Sequence, residues 1–149
     1  MQGAHVALWL GLVAPHASLP GPRYEMEVSV EPERRELRGE ATLRFWNRTE
    51  RPLASVCLQL YQNAFRDRES SFWRELEREG GAPALPEEAR GFIELEALSA
   101  QGADLRSGAR FVAPDDANGA DRTVLEVPLA APLAPGEAQE FSLRFTTRL

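Results

Sequence analysis

Residues 24–31 read Tyr-Glu-Met-Glu-Val-Ser-Val-Glu, an alternation of apolar side chains with charged or polar ones. Successive side chains of a β-strand point to opposite faces, so this pattern predicts a half-buried strand with one apolar face. After a turn at Pro32–Arg35, residues 37–45 repeat the alternation, with Gly39 interrupting the apolar phase. The two segments predict an antiparallel hairpin, in which Gly39 marks a bulge or a close approach of another group to the backbone.

Five later segments carry strand-like patterning and extend the prediction to a whole domain. They lie at Ala54–Leu60, Phe92–Leu98, Arg110–Val112, Thr123–Leu129 and Phe141–Phe145. Seven strands with polar outer faces and apolar inner faces predict an all-β fold of two packed antiparallel sheets.

Two local signals punctuate these strands. Ser70 and Ser71 can cap a short helix over Phe72–Glu79, which Gly80-Gly81 ends, and we expect this helix to pack as a lid on the sheet edge. Pro135-Gly136 occupies the two central positions of a predicted type II turn. The segment Ala82–Arg90, with two prolines, predicts a surface loop.

Composition limits the functions open to this chain. Its 149 residues suffice for one domain and are short for two. The net charge is −6, and acidic residues are spread along the whole chain, so the clustered basic surface that a nucleic-acid binder requires is lacking. The single cysteine, Cys57, forms no intramolecular disulfide, and its strand-like surroundings predict a small buried thiol.

The first 22 residues precede the strand pattern and are predicted to be a leader. Their apolar run, Val6–Ala14, is too short to span a membrane but has the length of the apolar part of a secretory signal. If residues 1–17 are a signal peptide, the protein is exported. An end fragment of an upstream segment and a disordered leader remain the alternatives, and the localisation is open.

Residues 23–149 offer no imidazole, since His5 and His16 both lie in the leader. A His-Glu-x-x-His zinc site and Ser-His-Asp or Cys-His catalysis are thereby excluded from the β-domain. Asn47-Arg48-Thr49 matches the glycosylation triplet, and Asp115–Asp121 is an acidic loop without calcium-loop spacing. We interpret both as ordinary turns, and we assign no catalytic, cofactor-binding or metal-binding residue.

Several short motifs, taken in their order along the chain, resemble the N-terminal domain of the zinc aminopeptidase N family. The members of this family are gluzincin metallopeptidases. These motifs are Arg23-Tyr24-x-Met26-x-Val28-x-Val30-x-Pro32, Leu37-Arg38-Gly39-Glu40-Ala41-Thr42-Leu43, Asn47-Arg48-Thr49, Leu58-x-Leu60-Tyr61-x-Asn63-x-Phe65, Leu133-Ala134-Pro135-Gly136-Glu137 and Phe141-x-Leu143-x-Phe145. The resemblance spans roughly residues 23–145.

The resemblance implies a saddle-like β-sandwich that packs on a thermolysin-like catalytic domain of the same polypeptide. In the family that other domain holds the zinc, the general base and the peptide substrate, so zinc is implied for the parent and no cofactor for this chain. The resemblance implies that the matching positions here are structural, and that Gly39 and Gly136 are glycines because of the backbone geometry at those points. The expected core positions are Tyr24, Phe45, Leu60 and Phe145.

The resemblance therefore predicts a noncatalytic domain that shapes the substrate cleft of a zinc aminopeptidase. Because the chain stops soon after its last strand, we expect it to be a piece of a longer polypeptide. Two alternatives stay open: a free-standing adhesion or ligand-binding sandwich, and a scaffold homologue without peptidase activity. A large exposed apolar patch is expected for a domain that docks on another domain, and its absence is expected for a free-standing sandwich.

Overall fold

The computed structural model describes residues 20–81, 86 and 90–149, which form strands, one α-helix and short 3-10 turns. The helix α1 covers Ser71–Arg78. In chain order the strands are β1 (Arg23–Glu31), β2 (Glu36–Trp46), β3 (Leu53–Gln59), β4 (Phe92–Ala100), β5 (Ala103–Asp104), β6 (Arg110–Phe111), β7 (Val124–Leu133) and β8 (Ala138–Arg148).

The strands form two sheets of unequal width. The larger sheet has the order β1-β2-β8-β4-β5, and the smaller sheet has the order β3-β7-β6. All pairings are antiparallel. The predicted all-β architecture is confirmed, and the seven predicted strands are all present beside the two-residue β5. The saddle shape implied by the resemblance stays a prediction.

The core lies between the two sheets and draws on both. The larger sheet contributes Leu43, Leu95, Leu98 and Phe141, and the smaller sheet contributes Val56, Leu58, Leu125 and Val127. Each buried apolar side chain of this size stabilises the fold by about 1.5–3 kcal/mol relative to its exposed state. Packing of the two inner faces therefore holds the sheets together.

The N-terminal hairpin forms as predicted, but its first strand is not half-buried. Strands β1 and β2 pair in continuous antiparallel register, joined by a 3-10 turn at Pro32–Arg34. Residues 23–30 of β1 are exposed on both faces. The alternation predicted the strand correctly. Whether a strand is buried depends in addition on whether a second layer covers it.

Gly39 is explained by a close approach and not by a bulge. Its register with Val28 on one side and Phe145 on the other is unbroken. The Phe145 ring lies across its α-carbon, so that a Cβ at this position would overlap the ring. Gly39 thus lets the Phe145 ring extend toward β1.

The helix and the last turn form where they are predicted, and α1 begins and ends one residue earlier than expected. Ser70 caps α1 by accepting a hydrogen bond from Trp73 N at 3.3 Å, and Gly80 follows the helix with φ of 75°. The buried residue of the helix is Trp73, while Phe72 is exposed. In the β7–β8 turn Gly136 has φ of 80° and Glu137 N donates to Ala134 O at 3.1 Å, which confirms the type II geometry.

Two predicted segments fall outside the described residues wholly or in part. The leader at 1–22 is described only from residue 20, so its apolar run and both histidines lie outside. The predicted loop at Ala82–Arg90 is described only at residues 86 and 90.

Gly39→Ala should lower the free energy of unfolding by about 1–3 kcal/mol, because the Phe145 ring must shift to admit a methyl group. Denaturant unfolding measures this change. Gly108→Ala is the matched control, since no atom lies within 4 Å of a Cβ placed there. Equal destabilisation by the two variants would show that the approach of Phe145 is not the constraint.

Candidate docking surface

The most unusual surface of the described chain is a row of four exposed apolar side chains on β1. This β1 apolar row consists of Tyr24, Met26, Val28 and Val30. At the rise of a β-strand it runs about 20 Å along the sheet edge. Monomeric proteins rarely expose contiguous apolar patches larger than a few hundred Å², so the row is the candidate docking surface of this chain.

The register shows that the β1 apolar row lies on the same face of the sheet as the core. Tyr24 is opposite Leu43 of β2, which is in turn opposite Phe141 of β8. Residues directly opposite each other in antiparallel strands share a face. Along these three side chains the exposed fraction rises from 1% at Phe141 through 3% at Leu43 to 56% at Tyr24. The cover supplied by the smaller sheet therefore ends between β2 and β1.

The other face of β1 is polar and its outer edge is unpaired in the described structure. Glu25, Glu27 and Ser29 alternate with the apolar row and point to the opposite face. The strand order ends at β1, so its outward N–H and C=O groups have no ladder partner among the described residues. A partner could therefore contact both the apolar row and the strand edge.

Of the four positions expected in the core, three are buried or half-buried and one is exposed. Leu60 is buried, and Phe45 and Phe145 are half-buried against the core, as the resemblance implies. Tyr24 was expected in the core, and that expectation is wrong. Its alternation with charged residues matches a buried strand, but no second layer reaches β1.

Asn63, within the motif Leu58-x-Leu60-Tyr61-x-Asn63-x-Phe65, ties the two sheets together. Its side chain is 1% exposed. Its Nδ2 donates to Arg122 O at 2.9 Å, just before β7, and its Oδ1 accepts from Ile93 N of β4 at 2.9 Å. The sequence places this residue in a motif but indicates no structural role for it. An asparagine in the sequence does not show which distant backbone groups its side chain will hydrogen-bond.

Asn47 has a similar structural task in the glycosylation-like triplet. It is fully buried, and its Nδ2 donates to Arg51 O and Leu133 O, both at 2.8 Å. Its Oδ1 accepts from the Thr49 hydroxyl at 2.7 Å. A glycan needs that same Nδ2, so this geometry supports the interpretation of the triplet as a turn.

Cys57 is exposed on β3, and the prediction of a buried thiol is wrong. It alternates with the buried Val56 and Leu58, so it points away from the core. Partial burial, followed by the charge of Glu126, raises the pKa of the Cys57 thiol. A raised pKa disfavours the thiolate that nucleophilic chemistry requires.

The acidic loop 115–121 is anchored to α1 as well as solvated. Asp121 is buried, and its carboxylate accepts hydrogen bonds from Ser71 N at 2.9 Å and Thr123 N at 2.7 Å. Asn118 Nδ2 donates to Glu69 O at 2.7 Å. Burial raises the pKa of Asp121, but the hydrogen bonds from Thr123 and Ser71 outweigh it and lower the pKa overall. The loop therefore fixes the start of the helix.

Within residues 20–81, 86 and 90–149, no group of three or more His, Cys, Asp and Glu side chains is placed to hold a metal ion. Among the same residues, no helix is long and apolar enough to cross a membrane.

The chain is similar in part to solved structures of zinc metallopeptidases. Neither a protein-family model nor a curated protein matches the chain. The chain is similar to the solved structure of an M1 zinc metallopeptidase from Deinococcus radiodurans, at 19% identity over 85% of this chain and with a TM-score of 0.47. A mutant two-domain M1 zinc metallopeptidase bound to L-tryptophan aligns at 20% identity over the same share, with a TM-score of 0.45.

The chain spans about a fifth of the length of these solved structures, since it covers 20% of each. Both solved structures are M1 zinc metallopeptidases, the class of protein named by the predicted resemblance.

Asp121→Asn should destabilise the fold by about 1–3 kcal/mol at neutral pH, because an amide nitrogen cannot accept the hydrogen bond from Ser71 N. The lowered pKa of Asp121 means that its contribution exists above the unfolded value of about 3.9 and is lost as pH falls through the folded pKa. As the pH falls below about 4, the free energy of unfolding of the variant should therefore decrease less than that of the parent.

Urea unfolding at several pH values measures both effects. Asp115→Asn, at an exposed position of the same loop, is the control and should leave the free energy of unfolding unchanged. A variant Asp121→Asn with the parent's stability and pH dependence would rule out the proposed anchoring.

Proposed function

We propose that this chain is the noncatalytic N-terminal β-sandwich domain of a zinc aminopeptidase-like metallopeptidase. In this proposal it packs on a thermolysin-like catalytic domain of the same polypeptide through the β1 apolar row. It shields an edge of that domain and forms one wall of the substrate cleft, so that short peptides enter and folded proteins do not.

The observation that carries the proposal is the β1 apolar row. Four apolar side chains continue the core face of the larger sheet beyond the reach of the smaller sheet. These side chains are 44–63% exposed, so covering the exposed part of each would contribute about 1 kcal/mol. A surface of this kind is expected on a domain whose partner is missing, and it argues against the free-standing sandwich.

The sequence supports the identity of the missing partner. The motifs from Arg23-Tyr24 to Phe141-x-Leu143-x-Phe145 follow one another in the order that resembles the aminopeptidase N-terminal domain. The residues that form the core, the Gly39 approach and the Pro135-Gly136 turn have structural tasks in those motifs. The zinc and the general base then belong to the partner, whose reaction would be peptide hydrolysis by a zinc-polarised water.

Zinc analysis and an aminopeptidase assay on two samples test this function. One sample is the 149-residue chain, and the other is the polypeptide extended beyond Leu149 from the same locus. The proposal predicts stoichiometric zinc and activity in the extended polypeptide only. Zinc without activity would favour a scaffold homologue, and neither in both samples would favour a binding domain.

Met26→Glu should weaken association with the catalytic segment by at least about tenfold, because it removes apolar contact and brings a charge into the interface. Titration of the chain into the separately purified catalytic segment measures the dissociation constant. Ser29→Glu adds the same side chain to the opposite face of β1 and serves as control. Equal affinities for the two variants would place the interface elsewhere.

A further inference from the structure

A cleft of about 360 Å³ opens into the side of the sandwich between β4 and β6. Its apolar wall is formed by four side chains that belong to the core or pack against it, namely Leu60, Ile93, Leu95 and Leu125. This volume lies at the lower end of the range of about 300–1,000 Å³ that small-molecule sites occupy. The cleft is separate from the β1 apolar row, which lies at the opposite edge of the larger sheet.

Three arginines line this cleft, and aromatic rings hold two of them in place. The Arg66 guanidinium lies over the Phe92 ring at 5.1 Å, and the Arg122 guanidinium lies over the Phe111 ring at 5.8 Å. Such stacking leaves the N–H groups at the rim of a guanidinium free to donate.

The third arginine, Arg106, is held by the backbone of β4. Its Nε donates to Leu95 O at 2.7 Å. The terminal nitrogens of the Arg106 and Arg122 guanidiniums make no hydrogen bond or ion pair within residues 20–81, 86 and 90–149.

The two acidic residues of the cleft each form an ion pair with one arginine, so they do not neutralise the other arginines of the cleft. Glu94 pairs with Arg66 at 3.2 Å. Glu96 pairs with Arg144 at 3.1 Å and accepts from the Thr146 hydroxyl at 2.6 Å. Among the described residues neither Arg106 nor Arg122 forms an ion pair. The cleft therefore presents two guanidiniums without a carboxylate partner beside an apolar wall.

The edge of β4 at this cleft is closed to an incoming strand. The outward Ile93 N donates to Asn63 Oδ1, and the outward Leu95 O accepts from Arg106 Nε. Pairing with an added β-strand would require both groups to be free. An occupant must therefore be recognised through its side chain and its charge, and not through a backbone ladder.

We propose that this cleft binds a small carboxylate that carries a branched aliphatic group, the chemistry presented by the C-terminal leucine of a peptide or by a free branched-chain acid. The aliphatic group contacts Leu60, Ile93, Leu95 and Leu125. The carboxylate accepts charge-assisted hydrogen bonds from Arg122 and Arg106. Such bonds are about twice as strong as those between neutral groups.

The experiment is a two-dimensional NMR titration of the 149-residue chain with three probes. N-acetyl-L-leucine supplies both features, N-acetyl-L-leucinamide lacks the charge, and 4-methylpentanoate lacks the peptide-like amide. N-acetyl-L-leucine should bind at least about tenfold more tightly than the leucinamide, with saturable shifts at the β4 and β7 amides. Tighter binding of N-acetyl-L-leucine than of 4-methylpentanoate identifies a peptide C-terminus, and the reverse identifies a free acid.

Arg122→Gln should weaken binding of N-acetyl-L-leucine about five- to tenfold, and Arg122→Lys should weaken it less. Arg110→Gln is the control, because Arg110 is also exposed but its guanidinium is held by Glu126 at 2.7 Å, outside the cleft. Amide spectra of each variant confirm folding before titration. Equal affinity for acid and amide, equal effects of the Arg122 and Arg110 variants, or the absence of saturation would each overturn the proposal.

Discussion

The inner face of the larger sheet is wider than the layer that covers it, and the main features of the surface follow from this mismatch. Antiparallel register carries one apolar face without interruption from β8 through β2 to β1. The smaller sheet has three strands against five and buries Phe141 and Leu43 but not Tyr24. At one edge the mismatch leaves the β1 apolar row, and at the other side the gap between β4 and β6 leaves an arginine-rimmed cleft.

Two buried asparagines hold the sheets in the positions that create this mismatch. Asn63 joins the segment after β3 to β4 and to the start of β7, and Asn47 joins the end of β2 to the end of β7. Each satisfies buried or partly buried backbone groups, and leaving a fully buried group without a partner costs about 1–3 kcal/mol. Their amides thus fix where the smaller sheet lies, and the apolar contacts of the core supply the stabilisation.

Local pattern predicted the elements of this fold well, because period-two alternation and turn chemistry are local properties. The β1–β2 hairpin, the Ser70 cap and the Pro135-Gly136 turn all follow from residues near one another in sequence. Burial could not be predicted in the same way, since it depends on a second layer. Tyr24 carries a pattern compatible with a core, yet no second layer covers it. Cys57 instead lies on the outward face that its own alternation with Val56 and Leu58 indicates, and the prediction of a buried thiol overlooked that phase. The arginines of the cleft come from three separate segments, and no local signal unites them.

The proposed function depends on the β1 apolar row being covered by a further domain of a longer polypeptide. Met26 reports on it directly, because a methionine at the centre of the row is oxidised to the sulfoxide when solvent reaches it. Peroxide oxidation followed by mass spectrometry would compare Met26 in the 149-residue chain and in the polypeptide extended beyond Leu149. The account predicts rapid oxidation in the chain alone and strong protection in the extended form. Equally rapid oxidation in both would contradict it.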